Sequence, residues 1–149
     1  IRSSMEPSRG LMTILHIIDV CTRFALACKL GDNEEGKDEQ TLCDAISRLW
    51  IAIFGSPTTL IVDGESGRRG TYAMDGSAAV GWTLKSKAPR QKAWIVERHH
   101  TPLRYTIHTT EDQLIKEGIH VNFDTILSVA TFSLNALTVI NTSTPYNAV

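Results

Sequence analysis

Lys87-Ala-Pro-Arg-Gln-Lys-Ala-Trp-Ile-Val-Glu-Arg-His-His-Thr-Pro-Leu-Arg104 decides how this chain is read. A short basic loop runs into a predicted helix. Glu97 is the one acid among six cations, Lys85, Lys87, Arg90, Lys92, Arg98 and Arg104. Upstream, Thr58-Thr-Leu-Ile-Val-Asp63 reads as an apolar strand that ends in a carboxylate, 34 positions before Glu97. Oxygen donors on a strand end and on a helix, set among cations, suit magnesium held beside a phosphate backbone.

The 149 residues are enough for one domain with a single core, and the predicted domain spans 1–149. A composition of 42 % hydrophobic and 21 % charged residues is that of an ordinary globular protein. No run of 18 apolar residues is present, which excludes a spanning helix by hydropathy. Ile1-Arg-Ser-Ser-Met5 does not read as a secretory signal. Cys21, Cys28 and Cys43 are odd in number and lack CxxC spacing. That argues against a disulfide framework or zinc site and for a reducing, intracellular compartment. The net charge of −1 hides a strong asymmetry. Five acids stand against two lysines over 29–39, and the basic run over 85–104 can bind phosphate despite the near-neutral total.

Leu11 to Asp19 is short, apolar and rich in branched residues, as expected of a buried strand. The tight link Val20-Cys-Thr-Arg23 predicts an antiparallel hairpin with a strand over 24–30. Asp38 is the expected N-cap of a helix whose stripe is Leu42, Ala45, Ile46, Leu49, Trp50, Ile53 and Phe54. Gly55 and Pro57 stop it. Short strands are expected at 58–62 and 82–85, and a helix over 93–117 ended by Gly118. Pro102 either bends that helix, at roughly 3 kcal/mol, or starts a fresh one capped by Thr101. Asn122 caps a last helix with a core stripe of Phe123, Ile126, Leu127, Ala130, Leu134 and Leu137. Val129, Phe132, Ala136 and Ile140 give it a second apolar side, so it is either fully buried or faces a partner subunit. Residues 142–149 read as a turn-rich tail. The order predicts an α/β fold, a mixed sheet with helices on its faces.

Four segments in order carry a resemblance. Phe54-Gly-Ser-Pro-Thr-Thr-Leu-Ile-Val-Asp-Gly-Glu65 and Trp94-Ile-Val-Glu-Arg-His-His-Thr-Pro-Leu-Arg104 resemble the second-aspartate strand and the glutamate helix of retroviral and retrotransposon-type integrase catalytic cores. Leu15-His-Ile-Ile-Asp-Val-Cys-Thr-Arg-Phe24 is similar to that family's hairpin, and Thr144-Pro-Tyr-Asn-Ala-Val149 to the motif that closes the core. The Gly67-Arg68-Arg69-Gly70 stretch departs from the family pattern, which has an apolar residue near there.

The resemblance implies a ribonuclease H-like mixed sheet flanked by helices. It also implies that the first strand, with the first catalytic aspartate, is lacking here, so the domain is expected to be N-terminally truncated. By the same resemblance Asp63 and Glu97 are the catalytic and metal-binding residues, and the cofactor is Mg2+ or Mn2+. Asp19 is either a further metal ligand or a turn-stabilising aspartate. Lys87, Arg90, Gln91, Lys92, His100 and Arg104 are the expected DNA contacts; His100 and Arg104 lie three and seven residues after Glu97, on its face of the helix. The implied activity is metal-dependent DNA 3′-end processing and strand transfer by an integrase core of a retroelement polyprotein. This fragment is expected to be inactive alone. Expected partners are the element's DNA ends and target DNA, with a homo-oligomer and no membrane, in nucleus or cytoplasm. A non-catalytic, decayed or domesticated nucleic-acid-binding module and a ribonuclease H-like hydrolytic nuclease stay open as alternatives.

Overall fold

The computed structural model describes residues 2–4, 11–32, 38–62, 79, 81, 83–86, 94–139 and 142–149. Strand β2 (Leu11–Ile18) and strand β3 (Ala25–Asp32) form the predicted antiparallel hairpin, paired from Ile18↔Ala25 to Met12↔Asp32 with a register shift between Thr13 and Ile14. The turn between them is held by Asp19. Its Oδ2 accepts from the Thr22 backbone N–H and from Thr22 Oγ1, each at 2.7 Å. Arg23 completes the turn at φ 66°.

Ahead of the hairpin a three-residue strand, β1 (Arg2–Ser4), pairs antiparallel with β2, Arg2 opposite Thr13. The resemblance implied that the strand ahead of the hairpin is lacking, and the structure corrects this: a strand is present. What forms is short and carries Arg-Ser-Ser, without a carboxylate. A second ladder joins β4 (Thr59–Val62) and β5 (Thr83–Ser86) in parallel, from Thr59↔Thr83 to Val62↔Ser86. The described strands thus form two sheets, a three-stranded antiparallel one (β1-β2-β3) with helices packed beside it and a two-stranded parallel one (β4-β5), so both the antiparallel and the parallel pairing predicted are present.

Helix α1 (Glu39–Ile46) starts at Asp38, whose side chain accepts from the Thr41 N–H at 2.8 Å. A π-helical turn, Ser47–Ile51, then leads into α2 (Ala52–Phe54). One extra residue in a turn rotates the next turn by about 100°. The predicted stripe therefore fails at its end: Ala45 and Ile46 are buried, but Ile53 is 63 % exposed. Phe54 still packs its ring on Trp50 and Phe24, with centroids 4.8 and 5.5 Å away.

Helix α3 (Trp94–Lys116) is one run with Pro102 inside it, so no fresh helix begins at Thr101. Gly118, at φ 69°, ends it, and the Ile119 N–H bonds back to the Leu114 carbonyl at 2.9 Å. Helix α4 (Phe123–Leu137) is capped by Asn122, whose Oδ1 accepts from the Thr125 N–H at 2.8 Å. The tail, expected as turns, holds a short helix α5 (Pro145–Ala148) capped by Thr144.

The core lies between β2, α3 and α4. Met12, Ile14, Leu103, Ile107, Phe123, Ile126, Leu127 and Ala130 form it. Each large side chain there contributes about 1.5–3 kcal/mol over its exposed state. Asn135 ties α4 to the sheet edge: its Nδ2 donates to the Ala25 carbonyl at 2.7 Å and its Oδ1 accepts from the Ala25 N–H at 2.9 Å. The side-chain amide thus stands in for a neighbouring strand. No described helix is long and apolar enough to cross a membrane.

Candidate active site

A parallel ladder sends both strands out of the sheet at one edge. Val62 and Ser86 are partners there, and β4 ends one residue before Asp63. Asp63 itself lies outside the described residues, as do Lys87, Arg90, Gln91 and Lys92. Crevices outside the carboxyl ends of strands are where open α/β sheets place ligands.

Glu97 is described. It sits in the first turn of α3, half-buried. A helix N-terminus carries partial positive charge, which favours a carboxylate in the first turn. Leu103 and Ile107, 2 % and 1 % exposed, anchor the same helix in the core nearly two and nearly three turns on. The rigid packing of α3 therefore fixes where the Glu97 backbone stands.

His100 turns toward the sheet. Its ring lies 5.4 Å from that of His16 on β2, and it is half-buried, whereas the sequence placed it on the DNA-facing surface. His16 Nδ1 and His100 Nε2 are shut off from solvent without a hydrogen-bond partner among the described residues. Burial, reinforced by the neighbouring His100, lowers the His16 pKa to about 3. Burial, with the Arg104 cation also opposing a second charge, lowers that of His100 to about 4. Both rings are therefore neutral at neutral pH. His99 points elsewhere, with Nδ1 2.8 Å from the Ile95 carbonyl oxygen. Arg104 is exposed. Asp19 lies in the hairpin turn, its Oδ2 engaged by Thr22.

Among the described residues no three His, Cys, Asp or Glu side chains stand together as a metal site. Glu97 supplies a hard oxygen donor of the kind magnesium takes, and it needs at least one further carboxylate beside it. The His16 contact was missed in the sequence, although a lone histidine within an apolar strand was a visible signal.

No family model matches the chain, and no curated protein sequence matches it. Solved structures do. The catalytic core domain of HTLV-2 integrase in complex with magnesium (trimeric form) superimposes with a TM-score of 0.75 at 12 % identity, over 99 % of this chain and 90 % of that one. The fold is that of retroviral integrase catalytic cores. The BIV integrase core agrees at a TM-score of 0.73 and 18 % identity, over 92 % of this chain and 84 % of that one. A chain of the simian T-cell lymphotropic virus intasome in complex with PP2A regulatory subunit B56 gamma gives 0.72 at 16 % identity over 93 % of this chain. There the chain spans about half of its counterpart, 48 %. The predicted ribonuclease H-like, integrase-core architecture is thus the one observed.

Proposed function

We propose that this integrase-like module is the catalytic core of a retroelement integrase. The complete enzyme would trim DNA 3′ ends and join them to target DNA. The observation that supports this most is the placement of Glu97, half-buried on the first turn of a helix anchored in an integrase-core fold. Asp63, one residue beyond β4, is the proposed partner carboxylate. Together they would hold Mg2+ or Mn2+, which activates an attacking oxygen and stabilises a leaving one in phosphoryl displacement. Arg104 and the segment bearing Lys87, Arg90, Gln91 and Lys92 would hold the phosphate backbone, chiefly by charge. His100, packed on His16, would act by setting how α3 meets the sheet. Asp19 belongs in this reading to the hairpin turn.

A third carboxylate is still needed, and β1 as described has none. The β1–β2 register pairs Arg2 with Thr13. With only Asp63 and Glu97 as proposed ligands, the chain is expected to join no DNA by itself. The exposed apolar residues of α4, Val129 at 47 % and Phe132 at 57 %, favour a homo-oligomer. Action on DNA fits a place in the nucleus or cytoplasm.

A strand-transfer assay with Mn2+ or Mg2+ tests this reading. The chain alone should bind duplex DNA in a salt-dependent way and join nothing. Supplying a third carboxylate on β1, as Ser3→Asp, should permit joining, and Asp63→Asn or Glu97→Gln should remove it again. Joining by the unaltered chain that survives Asp63→Asn and Glu97→Gln would contradict it. The lack of a carboxylate on β1 favours one second reading, a non-catalytic nucleic-acid-binding module. In that case DNA binding would persist and no added carboxylate would confer joining.

A further inference from the structure

Four aromatic side chains are exposed among the described residues: Phe54, Tyr105, Phe132 and Tyr146. Phe54 packs on Trp50 and Phe24, and Phe132 and Tyr146 pack on each other with centroids 5.8 Å apart. Tyr105 is the most open of the four, at 72 %, and its ring has no aromatic partner among the described residues.

Its place on α3 is informative. Tyr105 follows Glu97 by eight residues, about 12 Å along the axis. Helical side chains lean toward the N-terminus, so this ring covers the turn before it, back toward Glu97. Arg98, Thr101, Pro102 and Arg104 around it are all exposed. Residues 98–110 contain no acid. An open aromatic face flanked by exposed cations fits a polyanion that presents flat rings. A base inside a duplex has both faces covered by its neighbours, so the fitting ligand is an unpaired nucleotide.

We propose that Tyr105 is a stacking platform for an unpaired nucleotide at a DNA end, on the outward side of the helix that carries Glu97. This rests on the reading that α3 faces DNA. Arg98 and Arg104 supply charge to the adjoining phosphates and Tyr105 supplies the ring. Stacking of this kind tolerates any base, so the platform distinguishes an open end from a closed duplex, not one sequence from another.

The test is fluorescence anisotropy with the full chain and two DNAs of equal length across a salt series. One has a short single-stranded overhang; the other is closed by hairpins at both ends. Tyr105→Ala should weaken binding of the overhang DNA roughly tenfold, with the salt slope unchanged. Closed DNA should change less than twofold, and Tyr105→Phe should bind as wild type does. Arg104→Ala should instead lower the salt slope by about one on both DNAs. If Arg104→Ala does so while Tyr105→Ala binds overhang DNA normally, or loses equally on both DNAs, the platform is refuted and the DNA-facing reading stands. Loss of binding in Tyr105→Phe would also refute it. If the wild-type chain binds neither DNA in a salt-dependent way, both readings fall.

Discussion

Two regions of this molecule are built on different terms. Between β2, α3 and α4, side chains such as Ile107 and Leu127 are 1 % exposed and Ala130 is fully buried. Along the β4–β5 ladder, four backbone pairs hold two short strands together, and Ile61 remains 45 % exposed. The first region fixes the fold and the second delivers the chain to the candidate site. Glu97 stands in the first turn of a helix whose later turns belong to the core. The candidate carboxylate is thus held by a rigid element, at its open end.

The sharpest way to break this contrast is to cut both regions alike. Ile107→Ala should cost about 2–5 kcal/mol in urea unfolding, through lost burial and a cavity. Ile61→Ala on β4 should stay within about 0.5 kcal/mol. Similar losses at both would mean that the ladder is as packed as the core. Next in size is Asn135→Ala, which strips two hydrogen bonds from Ala25 at the sheet edge. A loss of about 1–3 kcal/mol is expected, because the Ala25 groups stay buried without partners.

The His16–His100 contact sharpens the comparison through pH. Both pKa values lie below the usual 6.5, near 3 and 4, so between those values and 6.5 the unfolded chain binds more protons than the folded one. Stability from this pair is complete above pH 6.5 and is lost as pH falls toward about 4. Thermal unfolding should show a decline on the order of 1–2 kcal/mol over that window, allowing for the partial exposure of both rings. In His16→Asn the decline should be smaller; an unchanged profile would remove the contact from the account. The smallest expected effect is Asn122→Ala, about 1 kcal/mol from one lost helix cap, read by the same unfolding measurement.

Local chemistry was legible in the sequence, and contacts across long separations were not. Asp38 and Asn122 announce their helices because a cap acts within three residues. Of the predicted stripe, Phe123, Ile126, Leu127 and Ala130 are buried and Leu134 partly so, but Leu137, the last residue of the helix, is 77 % exposed. Val129 and Phe132 are equally apolar and exposed, since periodicity records which residues share a face, not what covers it. The π-helical turn at Ser47–Ile51 has no sequence signature, and it rotates Ile53 outward. Asn135 reads as a polar break in an apolar helix because its partner, Ala25, is 110 positions away. Thr144-Pro145 was legible as a cap followed by a first-turn proline, yet the segment was expected as turns. The helix α3 with Glu97 near its start was legible from the sequence, and the inward turn of His100 was not, because it depends on His16 across the sheet.

Paramagnetic Mn2+ titrated into the isotopically labelled chain, followed by amide NMR, tests the central claim most directly. If Asp63 and Glu97 share a divalent ion, resonances flanking both positions broaden together, and Asp63→Asn abolishes the broadening around Glu97 as well. Broadening around one position alone, or broadening near Glu97 that survives Asp63→Asn, would contradict a shared site.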